Sequence, residues 1–222
     1  MRPDPTQGVF ETMLVRNGRA HVWQRHLDRL THSVGALYGR RLPADIAAQI
    51  QAHARSLTGE HRLRVDVVPG AAAAITTQPV PAGYRRPVTL APLVVPGGLG
   101  AHKWRDRQLL GSRSALLTDA DGTVLEAAWG NVWVLEGDAL VTPPADGRIL
   151  PGVTRALLLE RAPALGLRPR EEPISLHRAR RAPITFATSA IRLAVPVTLS
   201  GQPAPAAPAI VDRIRAALAP HS

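Results

Sequence analysis

The 222 residues contain no cysteine, so disulfides, thiolate zinc sites and cysteine nucleophiles are excluded, while histidine and carboxylate metal sites stay open. Aromatic residues make up only 4%, which leaves few flat platforms on which nucleobases could stack. No apolar run is long enough to cross a bilayer, and the opening Met1-Arg2-Pro3-Asp4-Pro5-Thr6 lacks the apolar core of a signal peptide. A cytoplasmic protein is expected. Lysine is almost as scarce as cysteine: of 27 lysines and arginines, 26 are arginine and Lys103 alone is lysine.

That bias makes position 103 a candidate for chemistry. Arginine and lysine serve equally as solvated surface cations, but only the amine can lose its proton and attack a carbonyl to form a Schiff base. The alternative is a single codon that escaped the arginine bias. What the chain has in quantity is apolar residues, 45%, and positive charge, a formal +10. The first is enough for a proper core. The second suits nucleic acid or anionic small molecules. The arginines are scattered, with small clusters at Arg40-Arg41, Arg85-Arg86 and His177 to Arg181, an arrangement that favours a small anionic ligand over nucleic acid.

Along the chain, Gly8 to Val15 alternates like a strand, Asn17-Gly18 marks a hairpin turn, and Ala20 to Trp23 returns beside it. Leu27, Leu30, Val34, Leu37 and Tyr38 recur at helical spacing, which brings His26 and Arg29 to one side of that helix. Gly39 ends it, and residues 43–57 read as a second helix. Three β-rich runs, 61–68, 73–80 and 87–95, suggest an antiparallel meander. The glycines of Pro96 to Gly100 make a flexible connection. The expected organisation is a small α+β subdomain at 1–96, a connecting loop at 97–102 and a larger subdomain at 103–222 that begins with Lys103. In the second half we expect a helix over 106–117, strands at 124–128, 131–135, 139–142, 167–172 and 185–188, and a helix from Thr154 to about residue 164. A hairpin from Val195 around Gly201, a Pro/Ala linker at 202–208 and a last helix at 209–218 complete the reading.

Three features bear on chemistry. Leu150-Pro151-Gly152-Val153-Thr154-Arg155 places a turn before a helix start, where backbone N–H groups and a threonine hydroxyl can hold a phosphate; an ordinary capped helix has the same pattern. Arg29 can add a bidentate cation to such a seat, and Thr188-Ser189 at a strand end can add hydroxyls. Glu126 is a carboxylate in apolar, strand-forming sequence, so it needs a partner: one of the arginines, or the protonated ring nitrogen of a cofactor.

Gly8 to Thr12, His26-Leu27-Asp28-Arg29-Leu30, Lys103, Glu126 with Asn131, Leu150 to Arg155 and Thr188-Ser189 occur in an order that resembles the class IV, or fold type IV, pyridoxal-phosphate enzymes. These include branched-chain and D-amino acid aminotransferases and 4-amino-4-deoxychorismate lyases, and the resemblance runs from about Gly8 to Gly201. It implies an α+β fold, a small α/β sandwich beside a larger barrel-like domain, with an abbreviated N-terminus because seven residues precede Gly8. It implies pyridoxal 5'-phosphate held through Lys103, with Glu126 at the ring nitrogen and Arg29, Val153, Thr154, Thr188 and Ser189 toward the phosphate. Ala190 stands where some members carry a phosphate-binding threonine. Phe10-Glu11-Thr12 and the pairing of Lys103 with Arg107 look like the lyases, which makes Thr12 a proton relay, or simply a β-branched strand residue, and Arg107 a receiver of substrate carboxylate. A small anionic amine substrate, a homodimer and a link or fusion to aminodeoxychorismate synthase follow from the same resemblance. The alternatives are an aminotransferase of the same fold and, from another class, a basic nucleic-acid-binding protein without cofactor.

Overall fold

The computed structural model describes residues 2–111, 114–203 and 208–220. The chain divides into two packed units, the first running to Tyr84 and taking back His102–Leu109, the second formed by Arg85–Ala101 and the residues described from Leu110 onward. The segment that carries Lys103 therefore packs with the first unit, whereas the sequence reading set it at the head of the second.

In the first unit β1 (Val9–Arg16) turns through Asn17-Gly18, both at positive φ, into the short β2 (Arg19–Ala20). Helices α1 (Trp23–Tyr38) and α2 (Ile46–Arg55) follow, then β3 (Glu60–Val67) and β4 (Ala74–Pro79). The strands form one antiparallel sheet in the order β2-β1-β3-β4. Its core side is set by period-two alternation: Val9, Met13 and Val15 from β1 and Leu63, Val65 and Val67 from β3 meet Leu30 and Val34 of α1 and Ile46, Ile50 and Ala54 of α2. Gly39 ends α1 in the left-handed conformation, as expected.

The second unit contains β5 (Val88–Val94), β6 (Ala115–Thr118), β7 (Thr123–Ala127), β8 (Asn131–Glu136), β9 (Ala139–Thr142), α3 (Val153–Arg161), β10 (Arg168–Glu171), β11 (Ile174–Ser175), α4 (Leu176–Arg181), β12 (Ile184–Ser189), β13 (Leu193–Leu199) and α5 (Ala209–Leu218). Nine strands make one mixed sheet, ordered β10-β9-β8-β12-β13-β5-β6-β7-β11. Trp133 and Phe186 are fully buried against it, their rings nearly parallel with centres 6.1 Å apart.

Three expectations change, and one helix is added. The meander stops at β4: β5 lies between β13 and β6 and is parallel to both, because strand propensity does not choose a partner. The helix expected over 106–117 is a single 3-10 turn at Gln108–Leu110 followed by β6. Its leucines fit a helical period, but Gly111 turns the chain at φ +52 and Leu116 and Leu117 are wholly buried in a strand; positions 112 and 113 lie outside the described residues. The late hairpin is formed by β12 and β13 through residues 190–192, not around Gly201, and four linker residues, 204–207, lie outside the described ones. Finally, the basic cluster at His177 to Arg181 lies in the helix α4, capped by Ser175 and tied down by Arg178 to Glu136 and Glu172. Among the described residues, no helix is long and apolar enough to cross a membrane.

A strand at 115–118 places Leu116 in the core and leaves Leu109 half-buried. Leu116→Ala is expected to cost about 2–5 kcal/mol in urea unfolding, and Leu109→Ala less than half of that.

Candidate active site

In the first unit the site begins with a carboxylate in the wrong company. Glu11 occupies the same face of β1 as Val9, Met13 and Val15, and it is 1% exposed. Burial of an ion is repaid only by close partners, and α1 supplies them from positions three apart. Arg29 donates from Nε to Glu11 Oε1 at 2.7 Å and from Nη2 to Oε2 at 2.9 Å, and His26 Nδ1 lies 2.9 Å from Oε2. Burial alone would raise the Glu11 carboxyl, but the Arg29 charge and the hydrogen bonds from His26 and Arg29 outweigh it and hold it well below the usual carboxylate range. Burial also lowers His26, against the pull of Glu11. A neutral His26 then donates its Nδ1–H to Glu11.

On the other face of β1 are Phe10 and the half-buried Thr12. The Lys103 segment lies antiparallel to the start of this strand. Phe10 N–H donates to the Lys103 carbonyl at 2.9 Å, Arg105 N–H donates to the Gly8 carbonyl at 3.0 Å, and Trp104 bridges Val9. The Lys103 amine is 5.0 Å from the centre of the Phe10 ring, within cation–π range. Arg107 is exposed on the same segment. Lys103, Thr12, Arg29 and Arg107 thus all belong to this unit. Glu11 and His26 enter the sequence reading only as members of their motifs, with no role assigned to them; the signal that singles out Glu126, a carboxylate in an apolar strand, is present at Glu11 as well.

The second unit gathers the remaining candidates around one backbone residue. Leu150 N–H donates to Glu126 Oε2 at 3.3 Å, and the Leu150 carbonyl accepts from Asn131 Nδ2 at 2.9 Å. Glu126 on β7 and Asn131 at the start of β8 are both buried, so the two side chains grip the turn that enters α3. That turn ends at Gly152, the N-cap of α3, which offers no side-chain cap to Val153 and Thr154. A Cβ at Gly152 would fall 2.0 Å from Asn131 Oδ1, so the uncapped helix start is built in. An uncapped helix N-terminus with a threonine at its second position has the donors for a phosphate.

The strand-end hydroxyls fare differently. Thr188 is 1% exposed, and its Oγ1 accepts the Trp133 indole N–H at 2.9 Å. Its side chain therefore satisfies a buried donor in the core, a task invisible in sequence because Trp133 lies on another strand. Ser189 is half-buried and accepts the Arg192 N–H at 3.3 Å. Gly130 fits against the same strand end, where a Cβ would lie 2.2 Å from the Thr188 carbonyl.

Two expectations follow. Thermal unfolding scanned from pH 7 to 5 should lose stability, since unfolding releases His26 to take a proton below about 6.5 while the folded ring resists it; His26→Asn should flatten that slope. Gly152→Ala should destabilise by about 1–3 kcal/mol in urea titration because Asn131 must give way.

Comparison with known proteins bears on the fold and the family. A solved structure of a hypothetical aminotransferase from Mycobacterium tuberculosis, in a pyridoxal-phosphate-bound form, superposes with a TM-score of 0.84 at 25% identity, covering 96% of this chain and 88% of that one. A Legionella pneumophila chain described as a candidate 4-amino-4-deoxychorismate lyase superposes with a TM-score of 0.81 at 19% identity, covering 94% and 89%, and shares the fold. A candidate branched-chain-amino-acid aminotransferase from Methanocaldococcus jannaschii is 34% identical over 87 residues, 39% of this chain and 30% of that relative; the match spans less than a third of the relative's length. The profile of the amino-transferase class IV family covers residues 8–94 and 100–199, and the chain belongs to that family, whose members have fold type IV and depend on pyridoxal phosphate.

Proposed function

We propose that the chain is a pyridoxal-phosphate-dependent lyase that converts 4-amino-4-deoxychorismate to 4-aminobenzoate and pyruvate, in the route to folate. The observation that carries this reading is Thr12: it follows Phe10-Glu11 on the β1 face from which the Phe10 ring reaches the Lys103 amine. A hydroxyl there suits a proton delivery that amino transfer does not need.

Lys103, Glu126, Arg29, Val153, Thr154 and Ser189 would hold the cofactor, which supplies an electron sink when bound. The Lys103 amine would take the C4 proton of the substrate; the bond to the enolpyruvyl oxygen then breaks as the ring becomes aromatic, and Thr12 would pass a proton to the departing methylene. Arg107 would receive a substrate carboxylate. A homodimer and a functional link to aminodeoxychorismate synthase accompany this reading through the family resemblance. Aminotransferase activity is the second reading, supported by the name of the Methanocaldococcus jannaschii relative.

Purified protein given pyridoxal phosphate and aminodeoxychorismate is expected to release aminobenzoate and pyruvate in equal amounts. Thr12→Val should slow this by roughly 10²–10⁴-fold with the cofactor's visible absorption intact. Amino transfer from branched-chain amino acids to 2-oxoglutarate, with no aminobenzoate formed, would sink the lyase reading.

A further inference from the structure

The basic pair Arg40-Arg41, which the chemistry at Lys103 leaves unused, borders a cavity of about 190 Å³ in the first unit. The cavity lies between the end of α1 with the linker to α2, on one side, and the end of β3 with the turn to β4, on the other. Its walls are apolar: Val34 and Val67 are buried, and Leu42 and Val68 are half-buried. Among the described residues, the two arginines are the only ionic side chains that line it. Both are exposed, and neither guanidinium has an ion pair or hydrogen bond to another described residue. Elsewhere in this unit Arg29 is matched by Glu11 and Arg64 by Asp66.

The negative groups nearby are committed to other partners. Asp4, whose charge acts on Tyr38, accepts from the Thr6 N–H at 2.9 Å and the Thr6 hydroxyl at 2.7 Å. Asp106 accepts from the Asp4 and Gln108 N–H groups, and Asp45, the N-cap of α2, accepts from Gln49 Nε2. Asp66 holds Arg64 and Arg105. None of these four carboxylates lines the cavity. Tyr38 does line it, but as a neutral phenol: burial and the Asp4 charge raise it, and its hydroxyl donates to the Pro5 carbonyl at 2.9 Å. The carbonyl end of α1 adds roughly half a negative charge, against two full cations.

Cations beside apolar walls select a ligand that has both characters. A guanidinium grips a carboxylate through paired N–H donors, and the apolar walls disfavour an ion hydrated on every side, such as phosphate. Size narrows the choice further. A cavity of roughly 150 Å³ accepts benzene, so this one accommodates a single ring with its carboxylate, and it falls below the roughly 300–1,000 Å³ of drug-sized or cofactor pockets.

We propose that this cavity is a binding site for a small aromatic monocarboxylate, its ring against Val34, Leu42, Val67 and Val68 and its carboxylate held by Arg40 and Arg41. The lining includes none of Thr12, Arg29, Lys103 and Arg107, so the site is additional to the one at Lys103. It requires neither bound cofactor nor turnover, and the failure of either reading leaves the other standing.

The test is a fluorine NMR titration of 4-fluorobenzoate into the full-length protein loaded with pyridoxal phosphate. The wild type should show saturable binding. Arg40→Gln and Arg41→Gln should each weaken it by roughly 3–10-fold, while Arg19→Gln, which removes an exposed charge on β2, should not. Ala72→Trp, at an exposed residue that lines the cavity, should fill it and abolish binding with both cations kept. The neutral 4-fluorobenzamide should bind at least about tenfold more weakly. The proposal is overturned if the wild type shows no saturable binding, if binding survives the double substitution of Arg40 and Arg41 or survives Ala72→Trp, if Arg19→Gln weakens it as far as Arg40→Gln, or if inorganic phosphate displaces the probe as readily as benzoate does.

Discussion

A buried carboxylate decides how the first unit is built. Glu11 stands in a row of core residues on β1, and it is tolerable there only because α1 runs past with a guanidinium and an imidazole aimed at its two oxygens. Replacing such a group by a neutral one leaves a buried cation unmatched, a loss of about 3–5 kcal/mol for pairs of this kind. The requirement fixes the helix in register as well as in place. His26 and Arg29 reach the same carboxylate only if α1 presents this one face, so the ion pair and the apolar stripe of Leu30 and Val34 specify the same rotation.

In the second unit the equivalent constraint is on the backbone. Leu150 is held by Glu126 on its N–H side and Asn131 on its carbonyl side, and the chain must then leave through a residue without a side chain. Gly152 meets that need and, by doing so, withholds a cap from α3. The helix start is thereby left ready for an anion. This is an electrostatic asset that the fold carries at a cost in local stability.

Both units place polar groups where apolar ones would pack more cheaply, Glu11 with Arg29 and His26 in the first and Glu126 with Asn131 in the second. The arginine-rich composition fits the same picture. Several guanidinium groups pair with carboxylates of the chain itself, from the buried Glu11 to the exposed Asp146, and the chain still carries a formal charge of +10.

The sequence alone determined the elements with strong local signals and the residues with unusual chemistry. The α1 stripe, the Asn17-Gly18 turn, β9 at 139–142 and α5 at 209–218 depend on periodicity and turn residues that act within a few positions. Lys103, Glu126 and the Leu150 to Arg155 turn stood out because each is a residue type its surroundings do not otherwise favour. Only the tertiary structure decided pairings between distant segments: β5 joining β13 and β6, the Lys103 segment lying along β1, and Thr188 serving Trp133. A strand's composition states that it will pair, and a carboxylate's burial states that it needs a partner. Which partner it receives depends on the packing of residues tens of positions away, where local propensity carries no information.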